Sequence, residues 1–166
     1  MSNYVFIPIV ISLLMITACA NNKVSNSSSG LVDQNAIQER NRYIVKGDLT
    51  VFDKNTKLLW EVKSKSNSHN VFYWFKAENY CDNLIHAGSS DWYLPTIEEL
   101  KTLLTAEKSL NSGYINSEYF SQNEPFSYWS STEGYGHGGW YVDFEFGGDS
   151  AYEDSKKKHA RCVNKQ

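Results

Sequence analysis

Cysteine, proline and methionine are all scarce in this chain, at 3, 3 and 2 of 166 residues. A positive charge excess is missing too: sixteen Lys plus Arg stand against nineteen Asp plus Glu, for a net charge of -3. Without the basic footprint that a phosphate backbone demands, DNA and RNA are not expected partners. No apolar run reaches the roughly 20 residues of a membrane-spanning helix. No Gly-X-Y repeat or other internal repeat occurs, which removes a collagen-like stalk. What is present is ordinary for one globular domain, 41% hydrophobic and 21% charged. Two features stand out: aromatic residues make up 14% of the chain, and three cysteines are an odd number.

One cysteine follows an apolar segment. Residues 5–16 carry no charge and are interrupted only by Pro8 and Ser12, which suits the core of a signal peptide. The segment ends in Ile16-Thr17-Ala18-Cys19, which resembles the lipobox of bacterial lipoproteins: an aliphatic residue, two small ones, then the cysteine that becomes diacylated. That resemblance implies a signal peptide over 1–18, lipidation at Cys19 and a membrane partner reached through the lipid. No Lys or Arg precedes Lys23, and an ordinary secretory signal peptide cut nearby is the alternative. Ala20 is not the Asp that often marks inner-membrane retention, which favours the outer membrane. The polar stretch from Asn21 to Gly30 has nothing to bury. Residues 19–41 therefore read as a lipidated cysteine and flexible tether with a reach on the order of 25 Å. Residues 42–166 read as the folded domain.

Within that domain Tyr43-Ile44-Val45 is β-prone. Thr50-Val51-Phe52 and Leu58-Leu59-Trp60 flank the turn residues Asp53-Lys54-Asn55-Thr56, predicting a hairpin. From Trp74 the apolar spacing changes to three and four, through Ala77, Cys81 and Leu84 with Tyr80 and Ile85 beside them. This predicts a helix ending near Gly88. In Pro95-Thr96-Ile97-Glu98-Glu99 the Thr and the second Glu form a capping box, opening a second helix with Ile97, Leu100, Leu103 and Leu104 as its buried stripe. Tyr128 to Thr132 and Trp140 to Phe144 are strand candidates around a glycine-rich loop, Gly147-Gly148 marks a further turn, and His159 to Val163 is a closing strand. The pattern predicts an α+β domain.

Several runs together resemble a known family, the C-terminal domain of the Legionella collagen-like (Lcl) adhesins. They are Thr50-Val51 with Asp53, Thr56, Leu58 and Trp60; Trp74, Ala77, Tyr80, Cys81 and Leu84; Asp91-Trp92 with Leu94-Pro95 and Glu99-Leu100; Tyr128-Trp129-Ser130-Ser131-Thr132; Val142-Asp143-Phe144; and Arg161-Cys162-Val163. The chain departs from the family at Tyr93, where Arg is usual, and at Lys57, where the turn normally has Gly. The resemblance implies a C-type-lectin-like fold, related to formylglycine-generating domains, with two helices and a small, mostly antiparallel, twisted sheet. It also implies a disulfide, because in such folds a cysteine on the first helix bonds to one on the last strand. Cys81 and Cys162 occupy those two places, and an exported protein meets the oxidising conditions required.

With Cys19 acylated and the other two paired, no thiol is left as a nucleophile, so formylglycine-generating chemistry is the residual alternative only. His69, His86, His137 and His159 lack zinc-ligand spacing, and no metal or cofactor is expected. Asn123-Glu124-Pro125 resembles a lectin calcium loop, but its Trp-Asn-Asp partner motif is missing. Glu98 and Glu99 fit helix capping better than acid-base work, and Ser130 and Ser131 belong to the strand motif. Trp60, Trp74, Trp92, Trp129 and Phe144 are expected in the core. The candidate ligand-binding residues are two groups. Tyr135, His137 and Trp140 lie in or beside the glycine-rich loop, where aromatics serve recognition. Lys156, Lys157 and Lys158 could form a basic patch for a sulfated polysaccharide, although the acids Asp143, Glu145, Asp149, Glu153 and Asp154 lie close by in sequence. The expected function is a non-catalytic envelope lipoprotein with an adhesin-like domain for a glycan or protein; the alternative is a structural or assembly component of the envelope.

Overall fold

The computed structural model describes residues 37–38, 40–47, 49–120, 126–152 and 155–166. The leader, Cys19, most of the tether, Asn123-Glu124-Pro125 and the pair Glu153-Asp154 lie outside the described residues. Helical backbone is present at 37–38 and 40–42, ahead of the first strand. Strand β1 (Tyr43–Gly47) pairs antiparallel with β2 (Thr50–Asp53), and β2 with β3 (Leu58–Glu61). The expected hairpin turn forms, with the Asp53 carboxylate accepting the Asn55 amide at 3.0 Å. Helix α1 (Trp74–Asp82) and helix α2 (Ile97–Lys101) follow. Then come β4 (Leu104–Ser109) and β5 (Gly113–Ile115), the three strands β6 (Ser127–Glu133), β7 (Gly139–Asp143) and β8 (Gly148–Tyr152), and β9 (Val163–Lys165).

The strands form three antiparallel sheets, in the orders β1-β2-β3-β9, β4-β5 and β6-β7-β8. This is α+β architecture compatible with the C-type-lectin-like fold. Strand β3 and the middle of β6 are buried on both faces, because side chains alternate along a strand. Leu58 and Trp60 enter one core cluster while Leu59 enters the other, and Tyr128 and Trp129 divide the same way. Trp60, Trp92, Trp129 and Phe144 are buried as expected. Trp74 is half-buried, with its indole N–H on the Ser130 carbonyl at 2.8 Å. Gly139 lies directly against that indole, so any Cβ there would collide with it.

The capping box forms in full at Thr96 and Glu99, and Ile97, Leu100 and Leu103 are buried, with Leu104 partly so on β4. Three boundaries differ from the sequence reading, the first being that of α2, which ends at Lys101 and leaves Leu103 and Leu104 beyond the helix. Helix α1 stops at Asp82, because Ala87 and Gly88 turn the chain at positive φ and His86 pairs with Ser89; Ile85 is 82% exposed and off the buried face. The closing strand is displaced to β9, because the preceding segment changes partners. His159 pairs with Tyr128 of one sheet, and only at Val163 does the chain join β3 of the other. The β4-β5 hairpin and β8 have no counterpart in the sequence reading.

Cys81 and Cys162 are bonded, with Cα atoms 5.4 Å apart and a sequence separation of 81. Closing a loop of that size removes chain entropy worth about 4.5 kcal/mol from the unfolded state. At the first hairpin, Lys57 sits at φ 62° and is exposed. A side chain there is strained, and glycine would relieve it. Lys57→Gly is therefore expected to raise stability by about 0.5–1 kcal/mol after the entropy cost of glycine. Urea unfolding of the two proteins checks it; an unchanged or lowered midpoint would count against the strain.

Candidate functional site

The sequence-predicted candidates fall at two separate places. The glycine-rich loop leaves β6 at Glu133 and enters β7 at Gly139, which face each other in register. At the opposite end of the same strands Ser127 faces Asp143. Four residues of strand, roughly 13 Å, separate the two ends. Tyr135 (83% exposed) and His137 (φ 68°) project at the first end. Trp140 does not join them: it is partly buried against the larger core cluster, and its carbonyl accepts the Ser130 hydroxyl.

At the second end lies a groove of about 310 Å³ containing Phe126, Ser127, Asp143, Glu145, Lys157, Lys158 and His159. Phe126 stacks on His159 with 5.2 Å between centroids and 9° between planes, giving the groove a flat aromatic wall. The three lysines are not equivalent. Lys156 and Lys157 are exposed, with the Lys157 ammonium 4.9 Å from the Tyr73 ring. Lys158 is turned inward; its ammonium lies 3.6 Å from the Tyr141 centroid, 5.1 Å from Trp129 and 5.4 Å from Tyr152. Burial lowers its pKa, Lys156 lowers it further, and Asp143 acts against both. A basic patch thus has two open cations and one held by aromatic faces.

Ser127, Asp143 and His159 share the groove without forming a relay. The Ser127 hydroxyl donates to Asp143 at 2.9 Å, while His159 meets Ser127 through its main-chain N–H. The other Asp143 oxygen accepts the amides of Glu145 and Phe146, which fixes the β7-β8 turn. Among the described residues no three His, Cys, Asp or Glu side chains converge as a metal site. No described helix is long and apolar enough to cross a membrane.

The sequence reading missed the polar centre beneath this surface. Glu61 and Lys63 are 1% and 2% exposed. Lys63 donates to both Glu61 oxygens at 2.8 Å, Tyr80 donates at 2.7 Å and the Cys162 amide at 3.0 Å. Arg161, fully buried, donates to the Glu61 carbonyl between the rings of Phe120 and Tyr128. Burial pushes the Glu61 carboxyl up, but Lys63 and these donors outweigh it and leave its pKa below the ordinary value. Burial takes Lys63 down to about 8 against the pull of Glu61, so both are charged at neutral pH. The available signal was a charged residue ending an otherwise apolar strand, Leu58-Leu59-Trp60-Glu61. Asp53 repeats the pattern: burial raises its carboxyl, and hydrogen bonds from Arg42 and the Asn55 amide bring it below normal.

The described residues thus form a small α+β domain stapled by one disulfide, a fold that does not by itself specify an activity. The Lcl C-terminal domain family model matches residues 49–164, and the chain belongs to that family. It is not a known enzyme family. No curated protein matches the chain. Of the family departures, Lys57 occupies the left-handed position where glycine is usual, and the Tyr93 hydroxyl donates to Glu99 at 3.0 Å.

Both depressed carboxyls bind protons more weakly folded than unfolded. Their contribution is complete above the unfolded value near 4 and is lost as pH falls through the lower folded values. Stability in urea is expected to be level from about pH 7 to 5 and to fall steeply below about 4. Asp53→Asn should flatten part of that slope; an unchanged acid slope would show Asp53 unpaired in solution.

Proposed function

We propose that this chain is a bacterial envelope lipoprotein, anchored through Cys19 and directed to the outer membrane, which Ala20 favours, whose domain binds a ligand without catalysis. The ligand is an anionic glycan, with a protein as the other class the surface admits. The observation that carries this reading is the groove beside β6 and β7. It offers a flat Phe126–His159 wall with Lys157 in its lining, and the exposed Lys156 is the neighbouring residue in sequence. Stacking on an aromatic face with charge-assisted contacts alongside is sufficient for sugar recognition. Tyr135 and His137, at the far end of the sheet, would serve a second contact on an extended ligand, and Trp140 supports that loop from the core side. Family membership supports a non-enzymatic role.

The lysines separate the roles. Replacing Lys156 and Lys157 with alanine is expected to lower the salt concentration at which the chain elutes from heparin, each lost contact reducing the salt slope by about one unit. Lys158→Ala is expected to leave elution nearly unchanged and to lower stability, because its ammonium is engaged by Tyr141 and Trp129. Heparin chromatography with thermal unfolding of the same variants tests both. Unchanged elution of the Lys156, Lys157 variant would remove the anionic-glycan reading.

A further inference from the structure

Hairpin apices are normally polar, because their side chains have no neighbour to pack on. Two apices here break that rule at one end of the domain. The turn after β4 carries Leu110 at 102% exposure, and the turn after β7 carries Phe146 at 73%. The two turns lie side by side. The Tyr114 amide donates to the Phe144 carbonyl at 2.7 Å, Tyr114 packs on Gly147, and the Lys108 ammonium stands 5.7 Å from the Phe146 ring. Phe126, also exposed, joins the same end through its carbonyl, which accepts the Phe144 amide.

We propose that this end is a membrane-contacting tip, in which Leu110 and Phe146 enter the boundary between headgroups and acyl chains of a phospholipid surface. The shape argues for lipid over a folded partner. Leu110 is open on every side, and only a fluid apolar phase surrounds a convex side chain without a matching pocket. The charges agree: the Lys108 ammonium flanks the Phe146 ring where a phosphate would lie, and Glu145, next to Phe146 in the same turn, marks the depth at which insertion stops. Proximity is supplied by the proposed lipid at Cys19, on which this part of the inference rests.

The test places Phe146→Trp in the full chain and mixes it with phosphatidylethanolamine and phosphatidylglycerol vesicles brominated on their acyl chains. The native tryptophans are buried or half-buried, and the unaltered chain gives their background. The added tryptophan is expected to lose about half its emission, as a side chain roughly 5–10 Å into the boundary would, and Leu110→Ser in the same chain should reduce the loss. Palmitate labelling during expression scores the anchor separately. A labelled chain that floats with vesicles but shows only background quenching keeps the anchor and overturns the tip. Quenching of an unlabelled chain keeps the tip and removes the anchor. If Leu110→Ser with Phe146→Ser lowers heparin elution while quenching stays at background, the tip serves a glycan and the proposal fails.

Discussion

An ionised carboxylate in a protein interior is tolerated only where several donors converge on it, and the placement of those donors then becomes a constraint on the chain. Glu61 is such a group. Its donors come from four places: Lys63 just beyond β3, Asn67 in the loop after it, Tyr80 on α1, and the Cys162 amide on the segment leading to β9. Cys81 follows Tyr80 and is bonded to Cys162, so the disulfide and the carboxylate hold the same helix to the same segment by two independent means. Arg161 adds a third tie through the Glu61 carbonyl. The four-stranded sheet, the first helix and the chain end are therefore set relative to one another around one charge. The three-stranded sheet inherits its position from them, because His159 leaves this centre to pair with Tyr128.

That arrangement determines where a ligand can be met. With both faces of β3 and of the middle of β6 buried, the surface open to a ligand is that of the turns, the grooves beside them and the exposed strands β1 and β8. The two ends of β6 and β7 differ in chemistry. One carries a glycine-rich loop with Tyr135 and His137; the other combines an aromatic wall, open lysines and two apolar apices. Lys158 links the interior to the second end, its ammonium held over Tyr141 while its stem lines the groove.

Much of the scaffold was legible from residue pattern. The Asp53 turn, the Thr96 capping box and the strands around the glycine-rich loop are written in local chemistry that acts within a few residues. The Cys81–Cys162 bond was legible only through the family resemblance, since spacing alone does not say which cysteines meet. Local patterns failed where long-range partners decide the outcome. Ile85 continues a helical spacing that the turn at Ala87 and Gly88 cuts short, and residues 159–163 read as one strand although they pass between two sheets. The β4 sequence Leu-Thr-Ala-Glu-Lys-Ser has little apolar alternation and becomes a strand by pairing with β5. For the candidate surface, the three consecutive lysines hid the inward turn of Lys158, which depends on aromatic residues from three strands.

The dependence on Glu61 is measured most directly by a double-mutant cycle in urea, using Glu61→Gln, Lys63→Met and the pair together. Each single change strands a buried charge and is expected to cost about 3–5 kcal/mol. The double variant, with both charges gone, is expected to cost less than the sum by more than about 1.5 kcal/mol. Additivity within about 0.5 kcal/mol would contradict the view that these two charges hold the sheet, helix and chain end as one unit.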